Sequence, residues 1–201
     1  MWNDMKKLLP HIALALFVAE VLLILLSWLL SAALPNSGVR SMLSGEGIRW
    51  FMGHFGNLLA TPQLSWLLLT VIAIGCLKSC GLFRSLQLSP LNYRERRALL
   101  ISVGVLAVCL LAFLLMAFMP HAVLRSVTGD LWPSPFSYSL IPVLSFSFCL
   151  FSIVYGTIAG AFQSLRDIYD SLLYGIRWAA PLILFYILFI QFYESLMFVF
   201  F

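Results

Sequence analysis

Long apolar runs, separated by short polar stretches, set the pattern of this chain from end to end. A membrane span needs roughly 20 mostly apolar residues. Five runs meet that need, at about residues 9–34, 64–83, 98–119, 139–162 and 172–198. Within them apolar residues are continuous rather than alternating, which excludes barrel strands. In lipid the backbone must satisfy its own hydrogen bonds, so the runs read as helices. The first closes at Pro35-Asn36-Ser37-Gly38, strong turn chemistry. Met5-Lys6-Lys7 ahead of it resembles a signal sequence. The run is too long for a signal core, however, and Ser31-Ala32-Ala33 is a weak cleavage site, so it reads as a membrane helix. Pro120 ends the third run, and Gly129-Asp130 and Pro133-Ser134-Pro135 supply turns before the fourth.

Residues 44–59 carry a different pattern. Ile48, Phe51, Phe55 and Leu58 recur on one helical face, while Arg49, His54 and Asn57 lie off it. Ser44 is placed to cap the helix, and Glu46 suits the positive end of its dipole. The expectation is a short amphipathic helix in the membrane interface, with Trp50 at headgroup level, or packed at the rim of a bundle. The predicted architecture is thus an all-α integral membrane protein of about five transmembrane helices plus one interfacial helix, as a single domain over 1–201. No internal repeat or low-complexity linker divides it.

Composition strengthens that reading. The chain is 62% hydrophobic and 10% charged, where soluble domains are about 45–50% apolar and about 25% charged. Lipid must therefore act as its solvent. The net charge of +4 reflects loop residues rather than a surface for nucleic acid. Lys6, Lys7, Arg84, Arg94, Arg96, Arg97 and Arg166 fall on one side of the predicted spans, with Arg177 near the last. Arg40, Arg49 and Arg125 fall on the other. That bias places the N-terminus in the cytoplasm, and five crossings place the C-terminus outside.

Ionisable groups inside a span are costly, which makes Glu20 in the first run and Lys78 in the second the intramembrane polar candidates. Glu20 could serve a proton or substrate relay, or it could be a protonated or locally paired carboxyl that helps helices pack. Lys78 could reach Glu20 or extend its stem to the headgroups. Gln191 and Glu194 share a face and are expected at the outer interface. Cys76, Cys80, Cys109 and Cys149 lie in apolar runs and read as inert packing residues, with no metal and no cofactor expected. No catalytic triad, phosphate loop or protease signature is present, so the chain does not read as an enzyme. Gly156-x-x-x-Gly160 is a small-residue pattern expected at a close helix contact.

Several short motifs resemble one family. Ser44-Gly45-Glu46-Gly47-Ile48-Arg49-Trp50 resembles the Leu-Ser-x-Glu-Gly-x-x-Trp stretch after the first helix of the AbgT family, bacterial transporters of p-aminobenzoyl-glutamate and antimetabolites. Gly75 to Leu82 resembles the family's Gly-x-x-Glu-x-x-Gly-Leu, with Gly75 and Gly81 matched and Lys78 standing where the family has Glu. Pro133-Ser134-Pro135-Phe136 resembles its Pro-Ser-Pro-Phe. Tyr155-Gly156, then Ser164, Arg166 and Asp167, resemble the end of that later span and the polar turn after it.

The resemblance implies the inner core of such a transporter, the part that packs subunits into a dimer, in a bacterial inner (cytoplasmic) membrane. It also implies gaps. The chain passes from Leu86-Gln87-Leu88 almost directly to Asn92-Tyr93-Arg94-Glu95, where the family carries a re-entrant hairpin and further spans, and stops at Phe201, before a second hairpin. The family's transport residues lie in those parts, and none is carried over. The expectation is a scaffold or accessory subunit in the lipid bilayer, as a homo-oligomer or with a membrane protein partner. The rival is a minimal homo-oligomeric transporter, or one half of a split transporter, handling p-aminobenzoyl-glutamate-like or antifolate-like metabolites.

Overall fold

The computed structural model describes residues 2–34, 38–87, 92–118, 124 and 134–201. Their regular structure is helical: α1 (Trp2–Ala33), α2 (Gly45–Leu59), α3 (Pro62–Ser79), α4 (Leu82–Gln87), α5 (Tyr93–Phe118), α6 (Pro135–Ala159) and α7 (Leu165–Phe200). Among the described residues five stretches are long and apolar enough to cross a membrane: Leu8–Ala33, Gly45–Ser79, Tyr93–Phe118, Pro135–Ala159 and Leu165–Phe200. The protein is an all-α integral membrane protein. The turns expected at 35–37 and 129–130, and Pro133, lie outside the described residues.

Local chemistry sets the helix ends. Ser44 caps α2, its Oγ accepting from the Gly47 N–H at 3.0 Å and donating to the Ser41 carbonyl at 2.7 Å. Ser134 and Ser137 form a reciprocal capping box at the start of α6, with Pro135 following the cap. α7 begins at Leu165, ahead of the hydrophobic run that starts near residue 172. The reason is a second box. The Asp167 carboxylate accepts from the Gln163 and Ser164 N–H groups, both at 2.9 Å, while Ser164 Oγ accepts from the Asp167 N–H at 3.3 Å. Polar residues that interrupt the hydropathy thus open the helix rather than break it. Gly81 and Gly160, at φ +83° and +90°, follow α3 and α6 in the left-handed region that glycine tolerates. Pro142 and Pro181 each remove one backbone donor without ending their helices.

The chain divides into two compact units: Met1–Leu64 with Ala180–Phe201, and Ser65–Ala179. In the first, Leu23, Met42, Phe198 and Val199 form the core, with Trp50 and Phe51 packed on it. Trp50 stacks on Phe198 at 4.5 Å and on His54 at 5.1 Å. Ile48 and Phe55 of the expected apolar face remain exposed. The segment before α2 is fastened at two points. The Arg40 N–H donates to the Val199 carbonyl at 3.0 Å. The buried Met42 N–H donates at 3.1 Å to Ser27 Oγ, which donates in turn to the Ile24 carbonyl at 2.8 Å. Ser27→Ala leaves that N–H without a partner, at an expected cost of about 1–3 kcal/mol. Thermal unfolding in mild detergent checks this, and an unchanged midpoint would refute it.

The second unit has its core at Cys80, Ala98, Tyr155 and Phe162, and α5 packs along α6. Phe136 stacks on Phe113 at 5.1 Å. The Tyr155 hydroxyl, itself buried, lies 2.6 Å from Ser85 Oγ. Apart from the Tyr155 hydroxyl, the buried polar side chains among the described residues are serines and Gln191.

Candidate functional site

Glu20, Leu23 and Ser27 sit at i, i+3 and i+7 of α1, so one face carries them all. Leu23 and Ser27 are buried there. Across from that face, Ser195 Oγ of α7 donates to Glu20 Oε1 at 2.7 Å. Gln191 Nε2, one turn earlier, donates to Ser195 Oγ at 3.3 Å. Two oxygens of this cluster, Glu20 Oε2 and Gln191 Oε1, are shielded and have no hydrogen-bond partner among the described residues. Carboxyl, amide and hydroxyl together can exchange or hold a proton.

Ser195 was not a candidate from the sequence, and Gln191 was expected at the outer interface. The signal existed in the i, i+4 spacing of Gln191 and Ser195. Pairing Gln191 with Glu194 at i, i+3 selects a neighbouring face, and Glu194 is only half-buried where Gln191 is 9% exposed.

Lys78 has its own partner. Its Nζ lies 4.2 Å from the centroid of the Trp178 ring, a cation–π contact that replaces part of the ammonium's hydration. Cys76 and Cys80 are fully buried. Cys76 Sγ is 3.4 Å from Ser171 Oγ and within reach of Cys149 and Ser152. Cys80 Sγ donates to the Leu77 carbonyl at 3.1 Å. Among the described residues no three His, Cys, Asp or Glu side chains are grouped to hold a metal ion.

Gly156 and Gly160 close α6. The Gly156 carbonyl accepts from the N–H groups of Gly160 at 3.1 Å and Phe162 at 2.9 Å, and the Phe162 ring occupies the space a Gly156 side chain would need. Arg94 of α5 donates to the Ile158 carbonyl at 2.7 Å and lies against Gly160. The closest helix crossing is elsewhere. A Cβ on Gly75 of α3 would meet the backbone of Gly175 of α7, and one on Gly175 would meet the Val71 carbonyl. Ser171, Gly175 and Ala179, at i, i+4 and i+8 and all buried, are the small-residue stripe of this contact.

The remaining motif residues serve the fold. Ser44 and Glu46 start α2, and Gly47 fits against the Ser41 and Met42 backbone, which leaves no room for a Cβ. Trp50 anchors α2 on Phe198, Gly81 turns the chain after α3, and Ser134, Pro135, Phe136, Tyr155 and Asp167 cap or pack α6 and α7. Two clefts in the first unit are apolar. One, of about 120 Å³, is lined by Ile24, Met42, Leu43, Ile48, Phe51 and Met52. The other, of about 600 Å³, includes Leu9, Pro10, Ala13, Pro181, Leu184 and Phe185. Glu20 lines neither.

Residues 84–199, more than half of the chain, match the model of the AbgT putative transporter family. The chain belongs to the AbgT family. The matched residues include Ser134 to Phe136, Tyr155, Gly156 and Asp167, whereas the motifs at Ser44–Trp50 and Gly75–Gly81 precede them. No curated protein and no solved structure matches the chain significantly. Membership makes this a multi-pass membrane protein related to AbgT transporters; of the Glu20 cluster, Gln191 and Ser195 lie inside the matched segment and Glu20, on α1, precedes it.

Proposed function

We propose that this AbgT-family protein is a non-catalytic scaffold or accessory subunit of a bacterial inner membrane, working as a homo-oligomer or beside a membrane protein partner. The observation that carries the reading is continuity. Secondary transporters bind substrate near the midplane at interrupted helices, whose exposed backbone coordinates it. Four of the five stretches, those of α1, α5, α6 and α7, run unbroken, and the fifth, Gly45–Ser79, changes from α2 to α3 at Ala60 and Thr61. Residues 88–92, between α4 and α5, are too few to form the hairpin that the family resemblance puts there. The basic residues favour a cytoplasmic N-terminus. The test is purification of the chromosomally tagged protein in nanodiscs or gentle detergent, with mass spectrometry of what accompanies it. A stoichiometric partner or a defined homo-oligomer is expected. A strict monomer that brings nothing with it would refute the proposal.

Family membership itself supports a second reading, a minimal or split transporter of p-aminobenzoyl-glutamate-like or antifolate-like metabolites. In that case proteoliposomes carry out uptake or efflux, and Glu20→Gln abolishes it.

A further inference from the structure

The hydrogen-bond count around Glu20 does not close for an ionised carboxylate. Ser195 supplies one donor, to Oε1, and Gln191 supplies its amide N–H to Ser195. Glu20 Oε2 and the Gln191 amide oxygen are then both acceptors, both shielded, and both empty. A buried acceptor left unmade destabilises a fold, and more so when it is charged. One hydrogen shared between Glu20 Oε2 and the Gln191 amide oxygen would satisfy both at once and leave the Gln191 Nε2 donor on Ser195 Oγ.

We propose that Glu20 is a proton-binding site, a neutral carboxylic acid that donates from Oε2 to the Gln191 amide oxygen and so clamps α1 to α7. A metal ion is the poorer occupant. Hard cations surround themselves with about six or more oxygens, and only two free oxygens are available here. The clamp goes beyond the scaffold reading and does not rest on it, since it concerns only how α1 and α7 are held.

Infrared difference spectroscopy of the full chain in nanodiscs, wild type minus Glu20→Gln at neutral pH, tests the site. The carbonyl stretch of a protonated carboxylic acid, shifted in heavy water, is the expected signal. Carboxylate bands in its place, or a spectrum that depends on sodium, would overturn the proposal. Stability gives an independent readout. Glu20→Gln, which mimics the neutral acid, should keep the unfolding midpoint within about 2 °C, whereas Glu20→Ala should lower it by about 4–10 °C. The double exchange Glu20→Gln with Gln191→Glu should restore the acid band on the opposite helix. If Glu20→Gln proves as damaging as Glu20→Ala, the charge is needed and the neutral clamp is wrong.

Discussion

Gly175→Val should be among the most damaging single substitutions in this protein. The α3–α7 crossing brings backbone to backbone: the Gly175 Cβ would fall against the Val71 carbonyl, and a Gly75 Cβ against Gly175 itself. A flexible side chain can rotate away from an intruding methyl, but a helical carbonyl cannot. The two helices would have to separate along their contact. That would loosen Ser171 from Cys76 and disturb Lys78 on Trp178, one turn or less away on the same helices. Overpacking costs about 1–3 kcal/mol and occasionally more, and a rigid backbone obstacle puts this site at the upper end. Gly104→Ala is the matched control. Gly104 lies inside α5 with open space where a Cβ would go, and Ala there should be neutral or stabilising by about 0.5–1 kcal/mol through helix propensity. Thermal unfolding of both variants in the same detergent decides the matter. Equal midpoints would mean that the crossing is not close.

Tyr155→Ala should do comparable harm for a different reason. Tyr155 is 1% exposed at the centre of the second unit's core, against Cys80, Ala98 and Phe162. Removing a buried aromatic ring leaves a void as well as lost contact area, about 3–5 kcal/mol. Tyr155→Phe separates the ring from its hydroxyl. Ser85 Oγ already lies 3.3 Å from the Gly81 carbonyl and 3.0 Å from that of Leu82, so losing the tyrosine hydroxyl does not orphan it. The phenylalanine variant should therefore cost only about 1 kcal/mol. If the two variants unfolded together, the hydrogen bond rather than the packing would hold this core.

Much of the architecture is legible from the order of apolar and polar residues, because a lipid solvent permits few alternatives. The spans, the Ser44 cap and the turn chemistry at Ser134-Pro135 all follow from rules that act within a few residues. What escapes such rules depends on partners far along the chain. Gln191 looks interfacial until α1 supplies Glu20, and Ser195 is one serine among many until the same helix arrives. Gly156-x-x-x-Gly160 has the right spacing for a helix crossing, yet its position at the end of α6 assigns it to a turn. Ser171, Gly175 and Ala179 form the crossing with less conspicuous residues. Asp167 illustrates the opposite effect: a charged interruption in hydropathy looks like a helix boundary, but the carboxylate satisfies the first N–H groups and lengthens α7 to about 54 Å at 1.5 Å per residue.

The serines of the interior bear on how such a protein enters its membrane. Ser102, Ser147 and Ser152 each donate to the carbonyl four residues earlier in their own helix. A helix so equipped carries its polar groups into lipid already partnered, and insertion can precede assembly without penalty. Glu20 is different, because Ser195 is made 175 residues after it. At about 5–20 residues per second, synthesis leaves α1 waiting roughly 10–35 s for its partner. During that interval the carboxyl must stay near the headgroups or borrow a donor from another chain, and a nascent α1 is the segment on which a membrane insertase or chaperone should be caught by crosslinking.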